Sequence, residues 1–424
     1  MSIGKRLCAC GLLVAALLVL ATVARAAEPS ENRGRRGTYL CKTSDPACNY
    51  YVCVPESYSD DNPAGLHLFF HGQGGQGGAA SFGLWSKDFL EPFNLIGINM
   101  QYTDGDNTKD PEGKVAAAVE AIRQTLADYK VIRGRGVVCS FSGGGVPHAM
   151  LVSQYAKRGT KPGDWPFNHS ASYGSNYRGD VKGLVPMSWF LGLGGKEWNL
   201  ANAGLGRTQT ARTGELFAEA ALGRCPDIYL KITKDKGHEI SDADRVDSAK
   251  GFHRSDLAFC GFLYESDYPE RELAPVVKSA NALDLGRAAS AVATLLKNDK
   301  LDAVLRAKAE RVRDRIAARV DAVVAVAAEL APSDEVLAEW YGRQFARQMK
   351  GHPREGELNK VLATVKMNER TARGLLAPFA NVSKFFTSDG RRVPEAAAGL
   401  KKTRSKVGPD SLLGKMADEF LTLE

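Results

Sequence analysis

Residues 137–145 constrain the fold more than any other part of the chain. They read Val-Val-Cys-Ser-Phe-Ser-Gly-Gly-Gly, an apolar run followed by a serine and then by glycines that open a helix-like stretch. A sharp turn from strand to helix can present Ser142 only if the residues two before and two after it are small, because bulkier side chains would collide across the turn. Ser140 and Gly144 meet this condition. The segment therefore predicts a buried strand, a tight turn with an exposed serine, and a helix, with a Gly-Ser-rich loop as the alternative.

A second glycine-rich segment follows another predicted strand. Residues 65–70 read Gly-Leu-His-Leu-Phe-Phe and run directly into His71-Gly-Gln-Gly-Gly. Here the chain resembles the α/β-hydrolase superfamily, in which a His-Gly loop after the third strand supplies one backbone N–H of the oxyanion hole, and the residue after the nucleophile supplies the other. The resemblance implies the backbone amides of Gln73 and Gly143 as the donors to the oxyanion. A flexible linker is the alternative.

The superfamily places an acid and then a histidine downstream of the serine. Residues 187–193 are a predicted strand that ends just before Gly-Gly-Lys-Glu197, and residues 228–232 are a predicted last strand, closely followed by Lys-Gly-His238. The resemblance therefore implies Ser142 as nucleophile, His238 as base and Glu197 as the acid that orients it. Imidazole suits this role because its ordinary pKa of about 6.5 allows it to accept and return a proton near neutral pH.

Two rivals for these roles stay open in the sequence. His169 lies near the expected sixth strand and competes with His238 as the base. Asp235 competes with Glu197 as the acid, although a carboxylate three residues before His238 seldom orients the same imidazole. Chain order favours His238 and Glu197.

The amino-terminal residues predict an export signal. Residues 1–26 contain Lys5 and Arg6, an apolar run over residues 12–23, and Ala-Arg-Ala before the expected cleavage site. The apolar run is shorter than the roughly 20 residues that a spanning helix needs, and no later segment reaches that length. We therefore expect a secreted or periplasmic protein without stable membrane insertion.

Six cysteines remain after the predicted signal. In an oxidising compartment they allow up to three disulfides whose pairing the sequence does not determine. The spacing of the first three predicts one local bridge in a hairpin. These cysteines are Cys41, Cys48, Cys53, Cys139, Cys225 and Cys260.

Charge and acidic clusters indicate neither a nucleic-acid nor a metal partner. The formal net charge is +7, and three of the positive charges lie in the predicted signal. No basic stripe with interleaved aromatic residues accompanies that charge in the catalytic half, so nucleic acid is not expected. The acidic loop at residues 104–110 lacks the spacing and closing glutamate of an EF-hand, and we interpret it as a solvent loop.

The pattern of elements predicts two regions after the signal. Residues 36–275 alternate strands and helices, as expected of an α/β-hydrolase catalytic domain with a mostly parallel sheet covered by helices. Residues 276–424 lack strand patterns and predict an all-helical C-terminal extension, with a long helix over residues 301–330. A protein partner for this extension stays open. Since every motif lies before it, we expect catalysis to need nothing after about residue 280.

The resemblance covers roughly residues 50–241 and is closest to secreted esterases related to polyhydroxyalkanoate depolymerases and to feruloyl or acetyl-xylan esterases. It implies a serine hydrolase that cleaves carboxylic esters through an acyl-enzyme, without a cofactor or metal. Acyl groups linked to a polysaccharide or polyester are among the expected substrates. Two alternatives stay open: a prolyl-oligopeptidase-like serine peptidase, and a catalytically silent binding protein with the same fold.

Overall fold

A computed structural model describes the chain from residue 28 onward with several gaps. The described residues are 28–74, 78–103, 105–106, 109–157, 166–175, 181, 187–199, 205–385 and 394–422. The predicted export signal lies outside them. Within these ranges, no helix combines the length and the hydropathy needed to cross a membrane.

The described residues form one sheet of eight strands in the order β1-β2-β4-β3-β5-β6-β7-β8. The pairs β1–β2 and β2–β4 are antiparallel, and all other neighbours are parallel. This order and these directions are those of the α/β-hydrolase fold, which confirms the predicted fold class. The strands β1 to β8 span Gly37–Lys42, Cys48–Val54, Ala64–Phe70, Leu95–Tyr102, Val131–Phe141, His169–Tyr173, Ser188–Gly194 and Ile228–Thr233.

Helices cover the sheet and make up the described part of the chain after residue 270. In chain order, α1 to α14 span Phe82–Trp85, Pro111–Asp128, Gly145–Lys157, Gly195–Asn199, Leu205–Ala221, Asp242–Phe259, Ala274–Asn281, Leu285–Leu296, Ala303–Ser333, Glu335–Met349, Glu355–Leu362, Glu369–Ala380, Pro394–Arg404 and Leu412–Thr422. Strands β3, β6 and β7 are buried along their whole length. The largely apolar sequences of β3 and β7 follow from this burial on both faces of a parallel sheet, whereas β6 is polar at His169, Ser170 and Ser172.

Two hydrophobic clusters divide the core, but not at residue 276. The first cluster joins the sheet to the end of the chain, including Leu375 and Phe379 of α12 and Met416 and Phe420 of α14. The second joins the end of α6 to helices α7 to α11. The helical C-terminal region is present as predicted, yet its last helices pack in the same core as the sheet. The division of the chain into domains of residues 36–275 and 276–424 therefore stays a prediction.

The expected bridge in the first hairpin is not formed. No disulfide joins the six cysteines, all of which lie among the described residues. Cys41 pairs in register with Tyr50, so Cys48 is its diagonal neighbour on the buried face, and Cys53 faces the other side. Diagonal residues lie about 7–8 Å apart, whereas a disulfide usually requires Cα atoms within about 4.4–6.8 Å.

Candidate active site

Ser142 lies in the strained turn that the sequence predicted. It follows β5 directly and adopts φ +52°, a left-handed conformation that is rare for residues other than glycine. The turn continues as a single 3₁₀ turn, Ser142–Gly144, into α3. A Cβ at Gly144 would collide with the carbonyl oxygens of Phe70 and His71, so the turn is held against the end of β3. Strain of this kind persists only where the surroundings enforce it, and it is typical of functional sites.

Ser140, which stands where the usual motif has glycine, forms a buried hydrogen bond. Its hydroxyl lies 2.8 Å from Nδ1 of His148, and Nε2 of the same ring lies 3.0 Å from the hydroxyl of Ser170. Burial lowers the pKa of His148 to about 3, so this ring is neutral. Sequence reasoning treated Ser140 only as a small residue. The signal that could have revealed the bond is a histidine one turn into the helix after the serine.

The His-Gly loop after β3 lies beside the elbow. A Cβ at Gly72 would lie 3.0 Å from Cδ1 of Phe141 and 3.2 Å from Cβ of Ser142, so the backbone of the loop lies in close contact with the elbow. His71 is buried, and its Nδ1 lies 2.6 Å from the carbonyl oxygen of Gly72. The loop therefore carries Gln73 next to the nucleophile turn that also contains Gly143. Residues 75–77, later in the same glycine run, lie outside the described residues.

Glu197 and His238 meet at the carboxyl ends of β7 and β8. Oε1 of Glu197 and Nδ1 of His238 form a short hydrogen bond, and Oε2 accepts the backbone N–H of Gly194 at 2.9 Å. Glu197 is 6% exposed, whereas the side chain of His238 is 45% exposed. Because Nδ1 donates to the carboxylate, Nε2 is left as the basic nitrogen. The hydrogen bond to Glu197 raises the pKa of His238 above its ordinary value, and partial burial opposes that shift.

The elbow and the His238–Glu197 pair lie at the same end of the sheet. The ring of Phe141, the residue before Ser142, stacks on the His238 imidazole with centroids 4.7 Å apart. Within the described part of the chain, no hydrogen bond joins Ser142 to His238. Such bonds are often long without substrate and shorten when it binds.

Gly174 is a site residue that sequence reasoning missed. It follows β6 with φ +53°, and a Cβ there would lie 3.1 Å from Nδ1 of His238 and 3.3 Å from Oε1 of Glu197. It therefore closes the space behind the acid–base pair. The sequence feature that could have indicated Gly174 is a glycine immediately after the sixth strand.

The rivals for base and acid lie elsewhere. His169 is fully buried, with Nδ1 2.7 Å from the hydroxyl of Ser188 and Nε2 2.8 Å from that of Ser248. Burial lowers the pKa of His169 to about 3. Asp235 is exposed and, among the described residues, makes no hydrogen bond or ion pair. The structure thus brings Glu197, and not Asp235, to His238.

Among the described residues, no three or more His, Cys, Asp or Glu side chains gather in a way that could hold a metal ion. Trp165 and Trp198 lie near the predicted motifs in the sequence and are candidates for lining a substrate pocket, but Trp165 and the side chain of Trp198 lie outside the described part of the chain.

Comparison with solved structures finds esterases at low identity. An acetyl xylan esterase from Aspergillus awamori is 18% identical over 32% of this chain and 52% of that one, with a TM-score of 0.27. A thermostable esterase is 16% identical over 47% of this chain and 55% of that one, with a TM-score of 0.35. A bacterial heroin esterase is 13% identical over 57% and 90%, with a TM-score of 0.38.

The matched part of this chain spans about half the length of the first two esterases. No protein-family model matches the chain, and no curated protein matches it in sequence.

Proposed function

We propose that the protein is a serine hydrolase that cleaves carboxylic esters. Ser142 is the nucleophile, His238 the general base and Glu197 the carboxylate that orients it. The backbone amides of Gln73 and Gly143 bind the oxyanion. The roles follow the order of these residues along the chain and their positions at the ends of β3, β5, β7 and β8.

One observation carries the proposal. A strained serine turn and a hydrogen-bonded His–Glu pair lie at the same end of a parallel sheet, and the ring of Phe141 connects them. A left-handed serine costs on the order of 1–3 kcal/mol, and strain of this size clusters at functional sites. The convergence of the turn and the His–Glu pair supports a nucleophile with its base more strongly than either feature does alone.

The reaction proceeds in two balanced steps. Oγ of Ser142 forms a bond to the ester carbonyl carbon while its proton moves to Nε2 of His238. The carbonyl electron pair moves onto the oxygen, which accepts hydrogen bonds from the two backbone amides. When the electron pair returns, the C–O bond to the alcohol breaks and the alcohol leaves with the proton from Nε2. Water then releases the acid by the same steps, and Ser142 recovers its proton.

Glu197 supports this chemistry through Nδ1. Its carboxylate holds the ring in the tautomer that exposes Nε2, and it stabilises the imidazolium that forms during attack. The backbone N–H of Gly194 fixes the second carboxylate oxygen, so the acid is held at both oxygens. A glutamate at the start of the short helix α4 thereby performs the role that a loop aspartate usually has in this fold.

The proposal is tested with a substrate panel on the mature chain beside Ser142→Ala. The panel contains short p-nitrophenyl esters, feruloyl and acetyl sugars, and chromogenic peptides. Hydrolysis of esters that Ser142→Ala lowers by several orders of magnitude supports the esterase. Preferential peptide turnover would replace it with the serine peptidase. Inactivity towards the whole panel would favour the silent binding protein.

We also propose that the chain is exported and cleaved near residue 26, on the basis of the basic and apolar residues at its amino terminus. Expression of the full chain followed by fractionation and amino-terminal sequencing tests this. A mature protein that begins near residue 27 outside the cytoplasm supports export, and an intact cytoplasmic chain contradicts it.

A further inference from the structure

The outer edge of β8 is closed by the last helix of the chain. β8 pairs with β7 on one side only, which leaves its other edge to be covered. Glu419 of α14 lies across that edge: Oε2 accepts the backbone N–H of Ile232 at 2.8 Å, and Oε1 accepts the hydroxyl of Tyr229 at 2.8 Å. One carboxylate therefore binds both the backbone and a side chain of the strand that leads to His238.

Apolar packing holds α14 in this position. Met416, Ala417 and Phe420 of this helix are buried in the hydrophobic cluster of the sheet. This packing keeps the Glu419 carboxylate aligned with the edge of β8. Glu419 thus supplies one of the hydrogen-bond acceptors that a ninth strand would offer to the outer edge of β8.

The position of β8 controls the distance between His238 and Glu197. The turn after β8 presses on the start of α4, because a Cβ at Gly194 would collide with the carbonyl oxygen of Lys236 and a Cβ at Gly195 with that of Lys234. The backbone N–H of Lys196 also bonds to the Lys236 carbonyl oxygen at 3.2 Å. Movement of β8 along or away from β7 would therefore displace the imidazole relative to its acid.

We propose that Glu419 is a positioning residue of the esterase site, acting on His238 through β8, and that the C-terminal helix is a working part of the enzyme. This inference rests on the proposed function. It runs against the expectation from sequence that catalysis needs nothing after about residue 280. Glu419 does not contact the reacting atoms; it fixes the strand that delivers the base.

The charged groups around β8 determine the pH at which the Glu419 variant should be compared with the wild-type protein. Lys231 and Asp247 form an ion pair at 2.6 Å on the side of α6, and Lys236 pairs with Asp244 of the same helix. Burial raises the pKa of Glu419 to about 7, while the hydrogen bonds from Ile232 and Tyr229 oppose the shift. Measurements at pH 8 therefore compare an ionised Glu419 with its neutral replacement.

The test uses the full mature chain with Glu419→Gln and the matched control Asp418→Asn. Glutamine keeps the size of the side chain but removes its charge, so the two charge-assisted hydrogen bonds from Ile232 and Tyr229 are replaced by weaker neutral ones. Asp418, on the same helix, pairs with Arg404 and not with β8. Two quantities are measured: kcat and KM on a short ester, and the pKa of the His238 ring by NMR.

We expect Glu419→Gln to lower kcat about tenfold or more with KM within about twofold, because small misplacements of a catalytic group have large kinetic effects. The pKa of His238 should fall towards its ordinary value as the bond to Glu197 weakens. Asp418→Asn should change neither quantity. An unchanged kcat, a change in KM alone, or a lower kcat with an unchanged His238 pKa would each overturn the proposal.

Two further measurements distinguish misfolding of the variant, and absence of esterase activity, from failure of the proposal about Glu419. If Glu419→Gln fails to fold, Tyr229→Phe removes one of the two bonds without altering α14, and the same shifts in smaller measure are expected. If the wild-type protein hydrolyses no ester, the proposed function fails, yet the NMR comparison still decides whether Glu419 positions His238.

Discussion

At the scale of single residues, the site depends on one carboxylate holding one imidazole. Glu197 is fixed by the Gly194 N–H, and it in turn fixes Nδ1 of His238. Gly174 and Phe141 leave the ring little room to rotate away. The chemistry assigned to this pair gives two predictions.

Glu197→Gln should leave the fold intact and lower kcat by about a hundredfold or more, because an amide neither stabilises the imidazolium nor fixes the tautomer as well as a carboxylate. The measurement is steady-state kinetics on a short ester, with thermal unfolding as a check on the fold. Asp235→Asn is the matched control and should be nearly silent. The reverse pattern would identify Asp235 as the acid.

The pH profile should report the His238 imidazole. The base works only when Nε2 is unprotonated, and the bond to Glu197 raises its pKa, so kcat/KM should rise with pH through a midpoint above about 6.5. Glu197→Gln removes the cause of the shift, and its midpoint should move to lower pH at a reduced plateau. A midpoint that stays in place in this variant would show that another group titrates.

At the scale of elements, a buried lysine holds the loop that packs on the oxyanion segment. The Lys114 ammonium donates to the carbonyl oxygens of Asp106 and Lys109 and lies 5.0 Å from the ring centroid of Tyr102. The carbonyl oxygen of Gly105 in that loop accepts the N–H of Gly74 at 2.7 Å. Backbone carbonyl oxygens of the acidic loop at residues 104–110 thus bind the ammonium group of Lys114.

Lys114→Met should therefore disturb both stability and the oxyanion loop. Methionine fills similar volume but removes the donor that the carbonyl groups of Asp106 and Lys109 share, and the net contribution of such a hydrogen bond is about 0.5–1.5 kcal/mol. We expect a lower free energy of unfolding and a fall in kcat of several-fold. Lys109→Met changes only an exposed side chain and is the control. A Lys114→Met variant that is destabilised but keeps the wild-type kcat would show that this loop does not affect catalysis.

The sequence predicted those elements whose signals are local. The strand before Ser142 and the long helix over residues 301–330, observed as Ala303–Ser333, follow from apolar runs and helical periodicity. Helices Leu285–Leu296 and Glu369–Ala380 were not predicted. Both pack into the hydrophobic clusters, and Glu369–Ala380 does so against a helix distant in the chain, Leu205–Ala221.

The same distinction applies to the site. Chain order sufficed to bring Glu197 and His238 together, because parallel strands end at one edge of the sheet. The contact of Glu419 with Ile232 joins residues 187 positions apart, and no local pattern indicates it. The hydroxyl bond of Ser140 was missed because a small side chain explained the same position.

At the scale of the whole molecule, a buried ion cluster links the C-terminal helices to the sheet. Asp256 of α6 binds Arg135 of β5 at 3.1 Å and Arg319 of α9 at 3.5 Å, and Arg319 also donates to the carbonyl oxygen of Cys260 at 2.8 Å. Burial opposes ionisation of Asp256, but the two guanidinium groups outweigh it and lower its pKa. The two regions predicted from the sequence are thus joined by ion pairs as well as by a common hydrophobic cluster.

Asp256→Asn should destabilise the protein by about 3–5 kcal/mol, because it leaves the buried guanidinium group of Arg319 and the partly buried one of Arg135 without their counter-charge. The measurement is urea unfolding followed by tryptophan fluorescence and by circular dichroism. Asp314→Asn, which breaks an exposed pair with Arg313, should be nearly silent. Loss of the helical region alone, with the sheet still folded, would show that the two regions unfold independently.

The most direct test of the active-site assignment is labelling of the mature protein by a fluorophosphonate, followed by mass spectrometry of its peptides. One hydroxyl has a base and oxyanion donors beside it, so the account predicts modification of Ser142 and of no other serine, with labelling largely lost in folded His238→Ala. Modification of Ser140, or no modification of a preparation that hydrolyses esters, would contradict it.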